Sequence, residues 1–170
     1  TGDLTHLGLP AEFREVARWL SALGPPEQFT VIPGNHESYV SSSWEETYAH
    51  WLPYLAADTP AATPAGLFPS LRIRDHIAFI GLSSARPTAP LLATGSLGKL
   101  QLQALGRILA ETGERRLFRV LLVHHPPLAD TLGWRKRLTD SRALRNSLEQ
   151  HGVELVLHGH AHRATLGWID

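Results

Sequence analysis

The chain has 170 residues, of which 43% are apolar, and this is enough for one compact domain with a hydrophobic core. Its 16 basic and 16 acidic residues cancel and no apolar stretch reaches the length of a membrane span, so we expect a cytoplasmic domain without a membrane or nucleic-acid partner. The absence of cysteine excludes disulfides, thiolate zinc sites and iron–sulfur clusters, and leaves His, Asp, Glu and Asn as metal ligands.

Apolar residues recur with helical spacing in some segments and form short continuous runs in others, and the two patterns alternate. In chain order they predict a helix over 11–23, a strand over 29–32, a helix over 44–55, a hairpin with strands over 71–74 and 77–83, a helix over 97–112 with Ser96 as its N-cap, a strand over 118–123, a helix that begins at Asp140 or Ser141 and ends at 151, and a strand over 153–157. This order predicts an α/β layered fold with a functional site along one edge of the sheet.

Both ends of the chain lie within patterns that are typical of a domain interior. Thr1-Gly2-Asp3 reads as the junction between a strand and a loop, and residues 165–170 stop within a strand-like pattern. We therefore expect residues 1–170 to be a single domain truncated at both ends, an internal fragment of a longer domain.

Three histidine-containing segments each follow a predicted strand. They are Gly34-Asn35-His36-Glu37, His124-His125-Pro126-Pro127 and Gly159-His160-Ala161-His162. Because strand ends meet at one edge of an α/β sheet, their side chains can converge although they lie far apart in sequence. Imidazole, carboxylate and amide groups in such an arrangement indicate a metal site rather than a covalent nucleophile.

Together with Gly2-Asp3, these three segments resemble, in their order and context, the motifs of the calcineurin-like metallophosphoesterase family. The resemblance extends from residue 2 to residue 162. It implies a four-layer α/β/β/α sandwich, a centre of two divalent metal ions and the hydrolysis of phosphate esters. Manganese, iron, zinc, cobalt and nickel all suit a nitrogen and oxygen ligand set of this kind.

The resemblance also assigns roles to individual residues. The metal ligands that it implies are Asp3, Asn35, His124, His160 and His162. Asp3 corresponds to the carboxylate that bridges the two metals, His162 to a ligand of the first metal and the remaining three to ligands of the second. His36 corresponds to a residue that protonates the leaving oxygen or contacts the phosphate. The implied reaction is attack of a metal-bridging hydroxide on phosphorus, with His36 as general acid and without a covalent enzyme intermediate.

One motif of the family is missing from this chain. The family opens with an Asp-x-His pair on its first strand, which supplies ligands to the first metal, and no such pair precedes Asp3. The first metal would then keep only Asp3 and His162. Truncation of the first strand explains the gap; in a complete chain the first site would instead be weak or empty.

Five further residues are candidates for supporting or substrate-binding roles, namely His6, Glu37, His125, His158 and Arg163. Glu37 either accepts a hydrogen bond from a ligand histidine or stabilises the start of a helix. His124 and His125 are adjacent and point in opposite directions if the strand continues, so we expect His125 to have a supporting or structural role. For His6 and Arg163, simple exposure to solvent is an equally adequate explanation.

The histidines near the end of the chain alternate with other residues. His158, His160 and His162 would share one face if the segment is extended, and His158 would then be a supporting or structural residue. His50, His76 and His151 lie in predicted helices or turns, and we expect them at the surface.

Two functions from different classes follow from the sequence. The first is a phosphodiesterase or phosphomonoesterase with a small phosphate-ester substrate such as a nucleotide, since family members with a His-His-Pro-Pro segment often resemble nucleotide phosphodiesterases. The alternative is a non-catalytic scaffold of the same fold that binds other proteins. Specificity is expected from the loops over 38–43, 56–69, 84–94 and 129–139. The sequence leaves the oligomeric state open.

Overall fold

The computed structural model describes residues 1–59, 66–128 and 131–169. These residues form the α-helices α1 (Pro10–Leu23), α2 (Leu52–Leu55), α3 (Lys99–Glu114) and α4 (Ser141–His151). They also form the strands β1 (Ser70–Arg74), β2 (Ile77–Gly81), β3 (Phe118–Leu122) and β4 (Leu155–Leu157). Short 3-10 helices lie over Pro26–Gln28, His36–Ser38 and Tyr48–Trp51. The predicted mixture of helices and strands is confirmed.

The four strands form one sheet in the order β1-β2-β3-β4. β1 and β2 form the predicted antiparallel hairpin, in which Ser70 pairs with Gly81 and Arg74 pairs with Ile77. β2, β3 and β4 are parallel, and α3 and α4 lie in the connections between them. The carboxyl ends of β3 and β4 therefore lie at the same edge of the sheet, and a histidine segment follows each of them.

β3 is buried on both faces of the sheet. Leu121 faces a core that α3 and α4 cover, and the helix residues in that core are Leu105, Leu109, Leu144 and Leu148. Val120 and Leu122 face the other side, where they pack near Ile32. Removal of one such leucine side chain from water stabilises the fold by roughly 1.5–3 kcal/mol. This packing fixes the position of the segment that carries His124.

A second cluster of apolar side chains holds the region before the sheet. α1 begins at Pro10, where the absent N–H is tolerated in the first turn, and it buries Phe13 and Leu20. Around them lie Val31, Trp51, Tyr54 and Leu55. The indole N–H of Trp51 donates to the carbonyl of Phe13 at 2.9 Å, so its polar atom is satisfied inside the cluster.

Arg72 on β1 is a buried charged side chain that connects the hairpin to this first region. Its guanidinium donates to the backbone carbonyls of Pro26 at 2.6 Å, Phe29 at 2.6 Å, Pro53 at 2.7 Å and Ala56 at 2.7 Å. Hydrogen bonds from a charged donor compensate for its removal from water, so Arg72 joins two segments, residues 26–29 and 53–56, to the sheet.

The strand predicted over 29–32 is wrong for the described structure, in which no residue of this segment belongs to the sheet. The N–H of Val31 donates to the carbonyl of Tyr54 at 3.0 Å, and the Val31 side chain lies in the second cluster of apolar side chains, next to Trp51 and Tyr54. Because Ile32 is also buried, the segment reads as a continuous apolar run. Such a run indicates that the segment is buried on all sides, but it does not distinguish a strand from a buried irregular segment.

The helix predicted over 44–55 is reduced to the 3-10 helix at Tyr48–Trp51 and the single turn of α2. Pro53 lies at the start of α2, because a proline has no N–H to donate and fits only the first turn of a helix. The chain therefore restarts its helix at the proline instead of continuing through it.

Ser96 is not the N-cap of α3, which begins at Lys99. Its hydroxyl donates instead to the carboxylate of Asp140 at 3.0 Å, and that carboxylate also accepts the N–H groups of Leu97 at 2.9 Å and Gly98 at 2.9 Å. The start of α3 is thus stabilised by an acidic residue that precedes α4, a partner that local sequence does not reveal.

The described residues contain one sheet, with α3 and α4 on one face, and not the second sheet of the four-layer sandwich that the resemblance implied. Residues 165–169, which have a strand-like pattern, form no strand. Parts of the predicted loops over 56–69 and 129–139, and residue 170, lie outside the described residues. Among the helices described here, none combines the length and apolar character that crossing a bilayer requires.

Candidate metal centre

The pairing of β3 with β4 continues beyond the strands and brings two histidines together. The N–H of Val123 donates to the carbonyl of Leu157 at 3.1 Å, and the N–H of Gly159 donates to the carbonyl of His124 at 3.0 Å. His160, the next residue, has its ring centroid 4.9 Å from that of His124. Its φ of 64° is uncommon for a residue other than glycine, and such conformations cluster at functional sites.

Asp3 and Asn35 reach the same place from two loops whose glycines pack against each other. A Cβ on Gly2 would lie 2.4 Å from the amide nitrogen of Gly34, and a Cβ on Gly34 would lie 2.3 Å from Oδ1 of Asp3. Neither position has room for a side chain, so the glycines in both motifs permit the close approach of the two loops.

Glu37 holds these two loops together, although it supplies no ligand atom itself. Glu37 is only 3% exposed, and its carboxylate accepts the N–H groups of Asp3 at 2.9 Å, Thr5 at 2.8 Å and Gly34 at 2.6 Å. The hydroxyl of Thr5 adds a fourth bond at 3.1 Å. Glu37 therefore positions Asp3 through the backbone, and it does not accept from a ligand histidine as one of the sequence interpretations suggested.

The side chains of Asp3, Asn35, His124 and His160 converge around one atom, Nε2 of His124. This nitrogen lies 2.9 Å from Oδ1 of Asn35, 3.2 Å from Oδ2 of Asp3 and 3.1 Å from Nδ1 of His160. The ligand atoms of Asp3, His124 and His160 all lie within 4.8 Å of one another. The structure thus brings together four of the five predicted ligands.

The hydrogen bonds around this group show where the protons are. Nδ1 of His124 lies 2.6 Å from the carbonyl of Thr1, which can only accept, so Nδ1 carries the proton. The amide nitrogen of Asn35 donates to the hydroxyl of Tyr39, which turns Oδ1 of Asn35 toward His124. In the neutral ring, Nε2 of His124 then presents a lone pair to Oδ1 of Asn35 and Oδ2 of Asp3.

Nitrogen and oxygen lone pairs that face one another repel unless a cation lies between them. One carboxylate, one amide oxygen and two imidazoles are ligands that divalent transition metals accept. The donor set therefore fits a divalent metal ion at this edge of the sheet.

The charge states of the group are those of metal ligands. Burial alone would raise the pKa of Asp3, but a protonated His124 ring, which would donate to its carboxylate, and the N–H of His36 lower it below its usual value. Burial lowers the pKa of His160 to about 4, with a further contribution from His124. At neutral pH the carboxylate is ionised and the His160 imidazole is neutral, as coordination requires.

His36 lies next to the ligand group in a fixed orientation. Its Nδ1 donates to the carbonyl of His6 at 2.6 Å, and its own N–H donates to Oδ1 of Asp3 at 3.1 Å. Nε2 of His36 lies 4.0 Å from Oδ2 of Asp3. The second ring nitrogen thus faces the carboxylate of the ligand group, and the contribution of His6 comes from its backbone, since its side chain is exposed.

His125 is not one of the clustered ligand residues, although its ring centroid lies 4.3 Å from that of His160. Its Nε2 donates to the carbonyl of Ala93 at 3.1 Å, so its Nδ1 accepts from the hydroxyl of Ser84 at 2.7 Å. Burial, with the charges of His160 and His124, lowers its pKa to about 3, so the ring is neutral and its role here is structural.

The segment after β4 is not extended, so the expectation of a shared face for its histidines is wrong. His160 and His162 both have positive φ, 64° and 52°, which turns the chain between them. His162 is exposed and lies outside the group of potential ligands in the described structure. Within the described residues, the hydrogen-bond partners of His158 are the carbonyl of Gly159 and the hydroxyl of Thr165, both at a long distance of 3.4 Å.

Arg163 does not face the ligand group: its guanidinium donates to the carbonyl of Thr131 at 2.9 Å. Of the other histidines, His50 and His76 are exposed, as predicted, whereas His151 is partly buried.

Sequence reasoning missed two polar partners of this centre, Tyr39 and Ser84. Tyr39 follows Asn35 by four residues, a spacing that allows contact across one turn, and its ring centroid lies 4.7 Å from that of His36. Ser84 carries no such signal, because its partner His125 lies 41 residues away.

Comparison with known proteins agrees with this geometry. A scan against protein-family models matches the family described as calcineurin-like phosphoesterase over residues 1–164. A search of curated proteins gives no match. The matched range includes Asp3, Asn35, His124 and His160, which form the candidate metal centre. The chain belongs to the calcineurin-like phosphoesterase family.

Proposed function

We propose that this protein is a phosphoesterase that hydrolyses small phosphate esters, monoesters or diesters, in a reaction that depends on divalent metal ions. The observation that supports this most strongly is the convergence of Asp3, Asn35 and His160 on Nε2 of His124 at distances of 2.9–3.2 Å. Family membership points to the same chemistry. Divalent ions at such a centre would polarise the phosphoryl oxygens and lower the pKa of the attacking water.

Asp3, Asn35, His124 and His160 would hold one metal ion. We further propose a second ion, for which Asp3 and His162 are the candidate ligands in this chain. Manganese, iron, zinc, cobalt and nickel all suit these ligands. The four-layer sandwich of the family is part of the same proposal, since the sheet described here would form one of its two inner layers.

His36 is the proposed general acid. The carbonyl of His6 accepts from its Nδ1 at 2.6 Å, which fixes the orientation of the ring. A proton on Nε2 would then face the reacting group next to Asp3 and pass to the leaving oxygen as its bond to phosphorus breaks. An imidazole suits this task because its ordinary pKa lies near neutrality.

The test uses the intact protein loaded with manganese and assayed with phenyl phosphate, p-nitrophenyl phosphate and their diesters. We expect hydrolysis of at least one ester, and a loss of kcat on the order of 10²–10⁴ in His36→Ala. The loss should be larger for phenyl than for p-nitrophenyl esters, because the better leaving group needs less protonation. His50→Ala, which changes an exposed histidine, should leave kcat unchanged.

Metal content measured by mass spectrometry separates the two functional classes. Protein that binds the metals but hydrolyses no ester would contradict the enzyme and favour the non-catalytic scaffold. Equal losses in His36→Ala for both leaving groups would contradict the role of His36 as general acid while leaving the phosphoesterase in place.

A further inference from the structure

A loop with three consecutive cationic residues lies next to the metal centre. We call residues 131–139 the basic loop; it carries Trp134, Arg135, Lys136 and Arg137, all of them exposed. The guanidinium of Arg135 lies 5.1 Å from the centre of the Trp134 ring, and 65% of Trp134 is exposed. Among the described residues, none of the three cations forms an ion pair with a carboxylate.

Backbone hydrogen bonds fix the position of the basic loop. The N–H of Ala93 donates to the carbonyl of Arg135 at 2.9 Å, and the N–H of Gly95 donates to the carbonyl of Arg137 at 3.1 Å. The N–H of Thr139 donates to the carbonyl of Gly95 at 2.9 Å. The cationic residues therefore lie on an anchored segment, and their arrangement is set by the fold.

One chain of contacts links the basic loop to the candidate metal centre. The carbonyl of Ala93 accepts from His125, whose ring centroid is 4.3 Å from that of His160. The N–H of the same Ala93 donates to the carbonyl of Arg135 in the basic loop at 2.9 Å. The loop therefore lies near a candidate metal ligand, where an anion bound to the metal would meet its positive charge.

The basic loop also lines a cleft of about 310 Å³. Its walls include Pro126, Leu128, Leu132, Trp134, Arg137 and Leu138. Pro126 follows His124 by two residues, so the cleft begins next to the metal centre. The walls of the cleft are both polar and apolar, and an exposed indole beside a guanidinium can bind a planar ring with an attached anion.

We propose that the basic loop binds the part of the substrate that lies beyond the scissile phosphate, and that the substrate is a phosphate ester with both an aromatic ring and additional negative charge. A nucleoside polyphosphate has this chemistry. Trp134 would stack on the ring, and Lys136 and Arg137 would bind the additional phosphate. This inference rests on the proposed function, because it places the scissile phosphate at the metal centre.

Equilibrium binding tests the inference without turnover. The intact protein with the His36→Ala change is loaded with manganese, and its affinity for ADP, pyrophosphate and inorganic phosphate is measured by titration calorimetry. Trp134→Ala should weaken ADP binding about tenfold, in line with base stacking on an aromatic ring, and leave pyrophosphate binding unchanged. The double change Lys136→Gln and Arg137→Gln should weaken ADP and pyrophosphate about equally, and inorganic phosphate less.

Matched controls are available on exposed helix faces. Trp19→Ala on α1 removes another half-exposed tryptophan, and Arg14→Gln on α1 with Arg107→Gln on α3 removes two other exposed cations. Neither control should change any of the three affinities. Thermal unfolding of all variants verifies that they are folded, which we expect because every changed side chain in the loop is exposed.

The outcomes separate this inference from the proposed function. Failure of the protein to bind ADP, or binding that changes less than twofold in both loop variants, overturns the inference, whether or not phosphate esters are hydrolysed. The expected binding pattern in a protein that hydrolyses no ester overturns the proposed function and keeps the loop as a ligand site.

Discussion

The two sides of the metal centre are built by different physical means. His124 and His160 follow β3 and β4, whose positions depend on the packing of Leu121 and its neighbours between the sheet and two helices. Asp3 and Asn35 lie on loops that belong to no strand in the described structure, and one buried carboxylate, that of Glu37, connects them. One side therefore rests on apolar packing and the other on hydrogen bonds from backbone to side chain.

Because of this difference, we expect the two sides to respond differently to a single substitution. Packing in the sheet is shared among many side chains, so a single change weakens it gradually, and His124 and His160 move together. The loop side depends on one carboxylate that accepts from three backbone N–H groups. A single change at this carboxylate leaves all three without a hydrogen-bond acceptor.

The largest effect on stability is expected from Leu121→Ala, which removes packing beneath the strands that carry His124 and His160. Loss of this fully buried side chain should lower the free energy of unfolding by about 3 kcal/mol, because a cavity remains between the sheet and its helices. Urea denaturation measures this change. Leu100→Ala on α3 is the matched control, since Leu100 is 82% exposed and its loss should change stability by less than about 0.5 kcal/mol. Equal effects of the two changes would contradict the described packing.

A smaller loss of stability, with a larger loss of metal binding, is expected from Glu37→Ala on the loop side. The change leaves the N–H groups of Asp3, Thr5 and Gly34 without their acceptor, and we expect about 2 kcal/mol of destabilisation. Manganese affinity, measured by calorimetry, should fall on the order of tenfold to a hundredfold, because Asp3 loses its position.

Glu12 provides a matched control for Glu37. Its carboxylate also accepts three backbone N–H groups, those of His6, Leu7 and Leu9, but at the surface, where water can replace it. We expect Glu12→Ala to cost about 1 kcal/mol, typical of a lost helix cap, and to leave manganese affinity unchanged. A loss of metal affinity in Glu12→Ala as large as that in Glu37→Ala would show that burial is not what distinguishes the two carboxylates.

The smallest effect concerns the far end of the strands, where Glu154 binds Arg119. Their side chains meet at 2.6 Å, and the hydrogen bond from Arg119 lowers the pKa of Glu154. A carboxyl whose pKa is lower in the folded protein stabilises it above the unfolded pKa, and this stabilisation is lost as the pH falls through the folded value.

The stability difference between the unchanged protein and Glu154→Gln should therefore be about 1 kcal/mol at pH 7, which allows for solvent screening, and should shrink below about pH 4. Denaturation at several pH values measures it. Glu15→Gln removes one partner of a fully exposed ion pair with Arg18 and should show no measurable effect. A difference that grows as the pH falls would contradict the assigned direction of the pKa change.

The contrast between the two sides also explains what the sequence could predict. Local sequence patterns predict the hairpin over Ser70–Gly81, the two parallel strands and the histidines that follow them. The reason is that the spacing of apolar residues within each strand can be read from neighbouring positions. Convergence of the ligands then follows from the rule that parallel strand ends share an edge. For these elements the predictions were confirmed or differ by one or two residues.

The predictions that failed involve partners distant in sequence. Val31 lies in an apolar run, but its N–H donates to the carbonyl of Tyr54. Ser96 is a residue type that is typical of N-caps, but its hydroxyl donates to Asp140. Glu37 accepts from the backbone of Asp3, which lies more than 30 residues away. Side-chain bonds to distant backbone have no periodicity, and their residue types are the same as those of local caps and turns. His162, the predicted ligand of the other metal, lies outside the group of four ligands after two residues with positive φ, and its role stays a prediction.

The hydrogen bond from the N–H of Asp3 to Glu37 places two carboxylates in one loop network, and among the described residues no lysine or arginine pairs with either. A bound divalent cation would offset this concentration of negative charge and would link metal binding to folding. Each tenfold rise in free metal above the dissociation constant would then add about 1.4 kcal/mol to folding stability. The melting temperature of the protein would therefore report metal binding, also in variants that have no catalytic activity.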